Sequence, residues 1–96
     1  MVNLRIIKIG ALWCSACLVT NNALSKIIKE HDNIELINLD YDFDEEEVSK
    51  YSPDEVLPVL IFEKDGKEVL RLKGEKNYDE IMKAVGELLW ENLLNY

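Results

Sequence analysis

Six residues, Leu4-Arg5-Ile6-Ile7-Lys8-Ile9, limit what this chain can fold into more than any others. They are mostly apolar and β-branched, which suits a buried strand better than a surface helix. Gly10-Ala11-Leu12-Trp13 ends the run, and a different period then takes over. From Cys17 to Lys29, the residues Val19, Ala23 and Ile27, with Leu24 and Ile28, form one apolar stripe at helical spacing. His31-Asp32-Asn33 breaks that helix, and Ile34 to Leu39 reads as a second strand. Strand, helix and strand in direct succession imply a right-handed parallel crossover.

Asp44 to Tyr51 reads as a short helix whose acidic first turn complements the positive end of its dipole, and Ser52-Pro53 closes it. Val59 to Glu63 and Glu68 to Lys73 are two strands around Lys64-Asp65-Gly66-Lys67, where Asp-Gly is a strong hairpin signal. Gly74 breaks the second strand. Asn77 is expected to cap the last helix, with Glu80 completing a capping box. That helix carries Tyr78, Ile81, Met82, Val85, Leu88 and Leu89 on one side, and Trp90, Leu93, Leu94 and Tyr96 are expected to extend it over the core. The order predicts an α/β fold, a mixed four-stranded sheet flanked by helices (βαβαββα). No linker, repeat or low-complexity tract divides the 96 residues, so 1–96 is expected to be a single domain.

Charge and patterning exclude several classes of function. A net charge of −8 argues against nucleic acid and anionic membranes, both of which need a cationic surface. Apolar runs are interrupted by charge well before a bilayer could be spanned. Lys8 also breaks the only stretch resembling a signal peptide, so the chain is expected in the cytoplasm. In that reducing compartment two cysteines are better suited to catalysis or metal binding than to a permanent crosslink.

Trp13-Cys14-Ser15-Ala16-Cys17 lies where the first strand hands over to the helix. A helix N-terminus offers unpaired N–H groups and a partial positive charge, and both stabilise a thiolate. Cys14, at the mouth of the helix, is therefore the expected nucleophile. Cys17, one turn further in, is expected to resolve the mixed disulfide that Cys14 forms with a substrate. The pair could instead supply half a zinc site, but no second such pair exists. The lone His31 lies roughly 20 Å along the helix at 1.5 Å per residue, too far to share an ion. A metal bridged between two chains, or two cysteines serving merely as small buried hydrophobes, are the remaining readings. Asp40, Asp42 and Asp44 alternate as in a calcium loop, but Glu45 replaces its turn glycine and Tyr51 its closing glutamate, so no calcium site is expected.

Trp13-Cys14-Ser15-Ala16-Cys17 after an apolar strand resembles the Trp-Cys-Gly-Pro-Cys of the thioredoxin family. Ile37-Asn38-Leu39-Asp40 is similar to the family's second central strand with its terminal Asp. Lys50-Tyr51 and Val56-Leu57-Pro58-Val59-Leu60-Ile61-Phe62 resemble its Lys-Tyr and its Ile-Pro-Thr strand, while Lys64-Asp65-Gly66 and Gly74 match its hairpin and late glycine. The likeness covers almost the whole chain, apart from the family's extra N-terminal strand and helix. It implies the thioredoxin fold, a cis Pro58, and a substrate-binding surface made by Trp13, Leu57 and Pro58. It also implies reduction of disulfide-containing proteins by a monomer with no bound cofactor and no metal, recycled by a flavin-dependent thioredoxin reductase within electron transport and cell redox homeostasis.

The chain departs from that pattern at several positions. Ser15-Ala16 replaces Gly-Pro, which leaves the first helical turn less restricted. Val59 replaces Thr, and Asn22 stands where a helix-kinking proline is common. Lys8 stands where the family places a buried acid beside the resolving thiol. Its stem is expected to pack on the sheet while its amine reaches water; pointing beneath the pair, it would instead favour a Cys17 thiolate. A glutathione-dependent, glutaredoxin-like enzyme is one alternative, although Lys73-Gly74-Glu75-Lys76 lacks that family's paired glycines. A redox-inactive interaction module on the same fold is the other.

Overall fold

The computed structural model describes residues 4–12, 14–52 and 56–94, with side chains as far as Leu88. Strand β1 (Leu4–Gly10) leads to helix α1 (Ser15–Glu30) and strand β2 (Ile34–Asp40). Helix α2 (Glu45–Ser49), the hairpin strands β3 (Val59–Lys64) and β4 (Lys67–Lys73), and helix α3 (Tyr78–Leu94) follow. Among the described residues these strands form one mixed sheet in the order β2-β1-β3-β4. β1 runs parallel to β2 and antiparallel to β3, which runs antiparallel to β4. β1 thus lies inside the sheet with a neighbour on each edge. This is the expected thioredoxin-fold architecture.

Strand alternation divides the core into two layers. Leu4 and Ile6 of β1 and Leu60 and Phe62 of β3 face α1 and α3, where they meet Leu24, Ile27, Ile81 and Val85. Ile7 and Ile9, with Val59 and Ile61, face the opposite way and pack on Val48 of α2. A sheet apolar on both faces needs cover on both, and the helices supply it.

Local signals set the boundaries. Asn77 and Glu80 form the expected capping box: the Glu80 N–H donates to Asn77 Oδ1 at 2.9 Å, and the Asn77 N–H donates to Glu80 Oε1 at 3.2 Å. Asp65 and Gly66 both have positive φ, 54° and 78°, the conformation a two-residue hairpin turn requires and glycine tolerates. α1 starts two residues before its expected first residue, because Cys14 itself serves as the cap, and runs uninterrupted past Asn22. α2 is shorter than expected at both ends. α3 continues to Leu94. The proposed cover by Trp90, Leu93, Leu94 and Tyr96 lies outside the described side chains, as does Pro53.

No helix among the described residues is long and apolar enough to cross a membrane. No group of three potential metal-ligating side chains is present among them either. The alternating aspartates serve a turn instead. Asp40 Oδ1 accepts the N–H groups of Asp42 and Phe43, and Asp44 Oδ2 accepts the N–H of Asp40.

Candidate active site

β1 ends at Gly10 and α1 begins at Ser15, so the cysteine pair straddles the start of the helix. Cys14 is the N-cap. Its backbone is extended, at φ −95° and ψ 104°, and its sulfur accepts the Cys17 N–H at 3.2 Å. That N–H, which also donates to the Cys14 carbonyl at 3.3 Å, is one of those at a helix start that have no partner four residues back. A Cys14 thiolate would gain this hydrogen bond and the positive end of the helix dipole together. Cys17 stands one turn further along, on the face of α1 that looks at the sheet. The two cysteines are joined in a disulfide with Cα atoms 5.4 Å apart, within the range such a bond allows. Cys14 keeps 8% exposure against 2% for Cys17, so the sulfur at the helix mouth is the more open one.

Lys8 does not reach water as the sequence suggested. It is 8% exposed, and its amine donates to Asn21 Oδ1. The physical reason is strand parity: Leu4, Ile6, Lys8 and Gly10 alternate onto the face that α1 covers, so the stem runs beneath the helix. Asn21 is four residues after Cys17 on α1, one turn along the same face. Lys8, Gly10, Cys14, Cys17, Asn21 and Asp40 are among the residues lining a cavity of about 260 Å³ beside the disulfide. Burial pulls the Lys8 ammonium below its ordinary pKa, and the Asp40 charge partly opposes that shift.

Gly10 makes this approach possible. A Cβ there would lie 3.2 Å from Cys17 Sγ and 3.5 Å from Lys8 Cε, wedged between sulfur and lysine. Gly10 and Asn21 were not singled out by sequence reasoning. The period of two along β1 was the available signal for Gly10, and the i,i+4 spacing from Cys17 was the signal for Asn21.

Leu57 and Pro58 are joined by a cis peptide bond, as the resemblance implied. They precede β3, whose Val59 pairs with Ile9 of β1, and so lie at the end of the sheet where the cysteine turn begins. The Pro58 carbonyl accepts the N–H of Gly74 at 2.9 Å, and Gly74 itself has φ 86°. Leu57 is half-buried against the α2-side core. Trp13 lies outside the described residues.

The family model for thioredoxin matches residues 2–87. A thioredoxin of Chlamydia trachomatis is 31% identical over 84 residues, covering 88% of this chain and 81% of that protein. The X-ray structure of Fasciola hepatica thioredoxin is similar at a TM-score of 0.81 and 30% identity, covering 88% of this chain and 80% of that one. A malaria-parasite thioredoxin-2 structure shares the fold at a TM-score of 0.82 and 22% identity, covering 90% and 84%. With the cysteine pair bonded at the head of α1, these likenesses establish that the chain belongs to the thioredoxin family and is a thiol–disulfide oxidoreductase.

Proposed function

We propose that this protein reduces disulfide bonds in other proteins, with Cys14 as nucleophile and Cys17 as resolving thiol. The observation that carries the reading is the placement of Cys14 Sγ as the cap of α1, accepting an N–H and more exposed than its partner. In the reduced protein the Cys14 thiolate attacks one sulfur of a substrate disulfide. A mixed disulfide forms, and the other substrate sulfur leaves with the electron pair. Cys17 then attacks Cys14 Sγ, releasing the second substrate thiolate and leaving the protein oxidised.

The proposed substrate surface consists of Trp13, Leu57 and Pro58. Exposed Leu12 and Leu18 beside the cysteine cavity support this reading, because an apolar rim suits a peptide that must lie against a partly covered sulfur. A flavin-dependent thioredoxin reductase is the proposed electron donor, and a monomer in the cytoplasm the proposed form and place of action.

Insulin reduction tests the reading. Cys14→Ser should abolish turnover, while Cys17→Ser should accumulate a mixed disulfide visible by mass spectrometry and released by dithiothreitol. Equal turnover by wild type and Cys14→Ser would overturn it. Recycling of the oxidised protein by glutathione rather than by a flavoprotein reductase would move the chain to glutaredoxin-like chemistry.

A further inference from the structure

We propose that Lys8 is a positioning residue for the resolving step: its ammonium, held beneath Cys17, stabilises the Cys17 thiolate and favours the dithiol over the disulfide. This rests on the reading of Cys17 as the resolving thiol and adds the group that controls its charge.

Three features of the cavity carry the inference. Lys8 is anchored by Asn21, one helical turn from Cys17 on the same face of α1, which fixes its amine under the helix. The bare Cα of Gly10 lets Cys17 Sγ and Lys8 Cε approach one point in the cavity, the place a Cβ would occupy. Among the described residues Lys8 makes no direct ion pair: its side-chain hydrogen bond is to a neutral amide, and the Asp40 carboxylate acts on it only through its field.

The other groups facing Lys8 are few. α1 contributes Cys14, Cys17 and neutral Asn21, and β2 contributes Asn38, opposite Lys8 in register, and Asp40. The turn after β2 adds Asp44, and β3 places apolar Leu60 opposite Lys8. Both carboxylates already serve the turn, Asp40 as acceptor for Asp42 and Phe43 and Asp44 as acceptor for Asp40. The charge that most directly opposes Lys8 is that of Asp40, whose field raises the Lys8 pKa while burial lowers it.

In the mixed disulfide, the Cys17 thiol gives its proton to solvent through the cavity, and the resulting thiolate meets a cation instead of an apolar wall. The thiolate attacks Cys14 Sγ. The Cys14–Cys17 bond forms, the Cys14–substrate bond breaks, and the substrate sulfur leaves with the electron pair and takes a proton from solvent. Over both steps the substrate disulfide gains two electrons and two protons, which the protein dithiol loses. A cation that lowers the free energy of the thiolate but not of the disulfide lets the resolving thiol ionise more readily. It also makes the oxidised protein easier to reduce.

The test is a charge series read by titration, independent of turnover. In a Cys14→Ser background Cys17 is the only thiol, and its thiolate absorbance is followed against pH after subtracting the tyrosinate signal of the Cys14→Ser/Cys17→Ala protein. Lys8→Met should lower the Cys17 thiolate fraction below its pKa about tenfold, a shift of about one pKa unit. Lys8→Glu should lower it further, and Asp40→Asn, which keeps the Oδ1 acceptor, should raise it. With both cysteines present, and at a pH above the Cys17 pKa of both proteins, the equilibrium against dithiothreitol should move toward the disulfide by about tenfold in Lys8→Met, equivalent to about 30 mV. Circular dichroism confirms that each variant is folded, and Asp40→Asn decides the matter if the Lys8 variants are not. A Cys17 titration that does not follow the charge order, or that stays put in folded Lys8→Met, overturns the proposal. A charge-ordered titration in a protein that fails to reduce insulin would instead overturn the protein-reductase reading and leave the electrostatic coupling standing.

Discussion

A buried lysine with an amide for its partner is an expensive residue to keep. Burial disfavours its charged form, and the Lys8 pKa is accordingly lowered from 10.5. The consequence for stability has a definite sign. Between the lowered native value and 10.5, the unfolded chain binds more protons at this site than the folded one. The site's contribution to stability therefore rises with pH across that window. Urea unfolding of the oxidised protein, in which neither cysteine titrates, should show wild type gaining on Lys8→Met as pH climbs from neutrality toward 10.5. A constant gap between the two would mean that Lys8 is not desolvated. Cys14 is the opposite case, a polarisable group placed where a helix start already offers an N–H and a favourable field.

At the scale of elements, the two long helices begin with different caps for different ends. α1 is capped by a cysteine sulfur, a position better filled for stability by Ser, Thr, Asp or Asn. α3 has the reciprocal Asn77–Glu80 box, which satisfies two backbone donors at the helix start. Asn77→Ala removes the acceptor for the Glu80 N–H and should cost about 1 kcal/mol, measurable by chemical denaturation with no change in the Cys14–Cys17 equilibrium. The start of α3 is tied to α1 as well, since buried Thr20 accepts the Lys76 N–H at 3.1 Å through its hydroxyl. The helix that carries the cysteines is thereby anchored to the start of α3 one turn beyond Cys17.

Across the whole molecule, the sheet separates two apolar layers, and Phe62 is a fully buried member of the layer that supports α1 and α3. Phe62→Ala should cost about 3–5 kcal/mol, a large share of the roughly 5–15 kcal/mol that holds a domain together. Its urea midpoint should fall steeply, and any residual redox activity should disappear with the folded fraction rather than ahead of it. Activity lost in a still-folded Phe62→Ala protein would mean that this layer tunes the site directly.

The element order, the hairpin turn, the Asn77 cap and the Cys14–Cys17 pair were all legible in the sequence, because each rests on contacts between residues close in the chain. A period of two, a period of 3.6, an Asp-Gly turn and an i,i+3 spacing are local geometry, and local geometry is written in consecutive residues. The surroundings of the pair were not legible in the same way. Lys8 was expected at the surface because a lysine stem can reach water from most strand positions, and only the docking of α1 over that face of β1 closes the route. Gly10, Asn21 and Asp40 meet Cys17 and Lys8 from β1, α1 and β2. Folding alone brings those elements together, so the cavity and its charge belong to the tertiary structure.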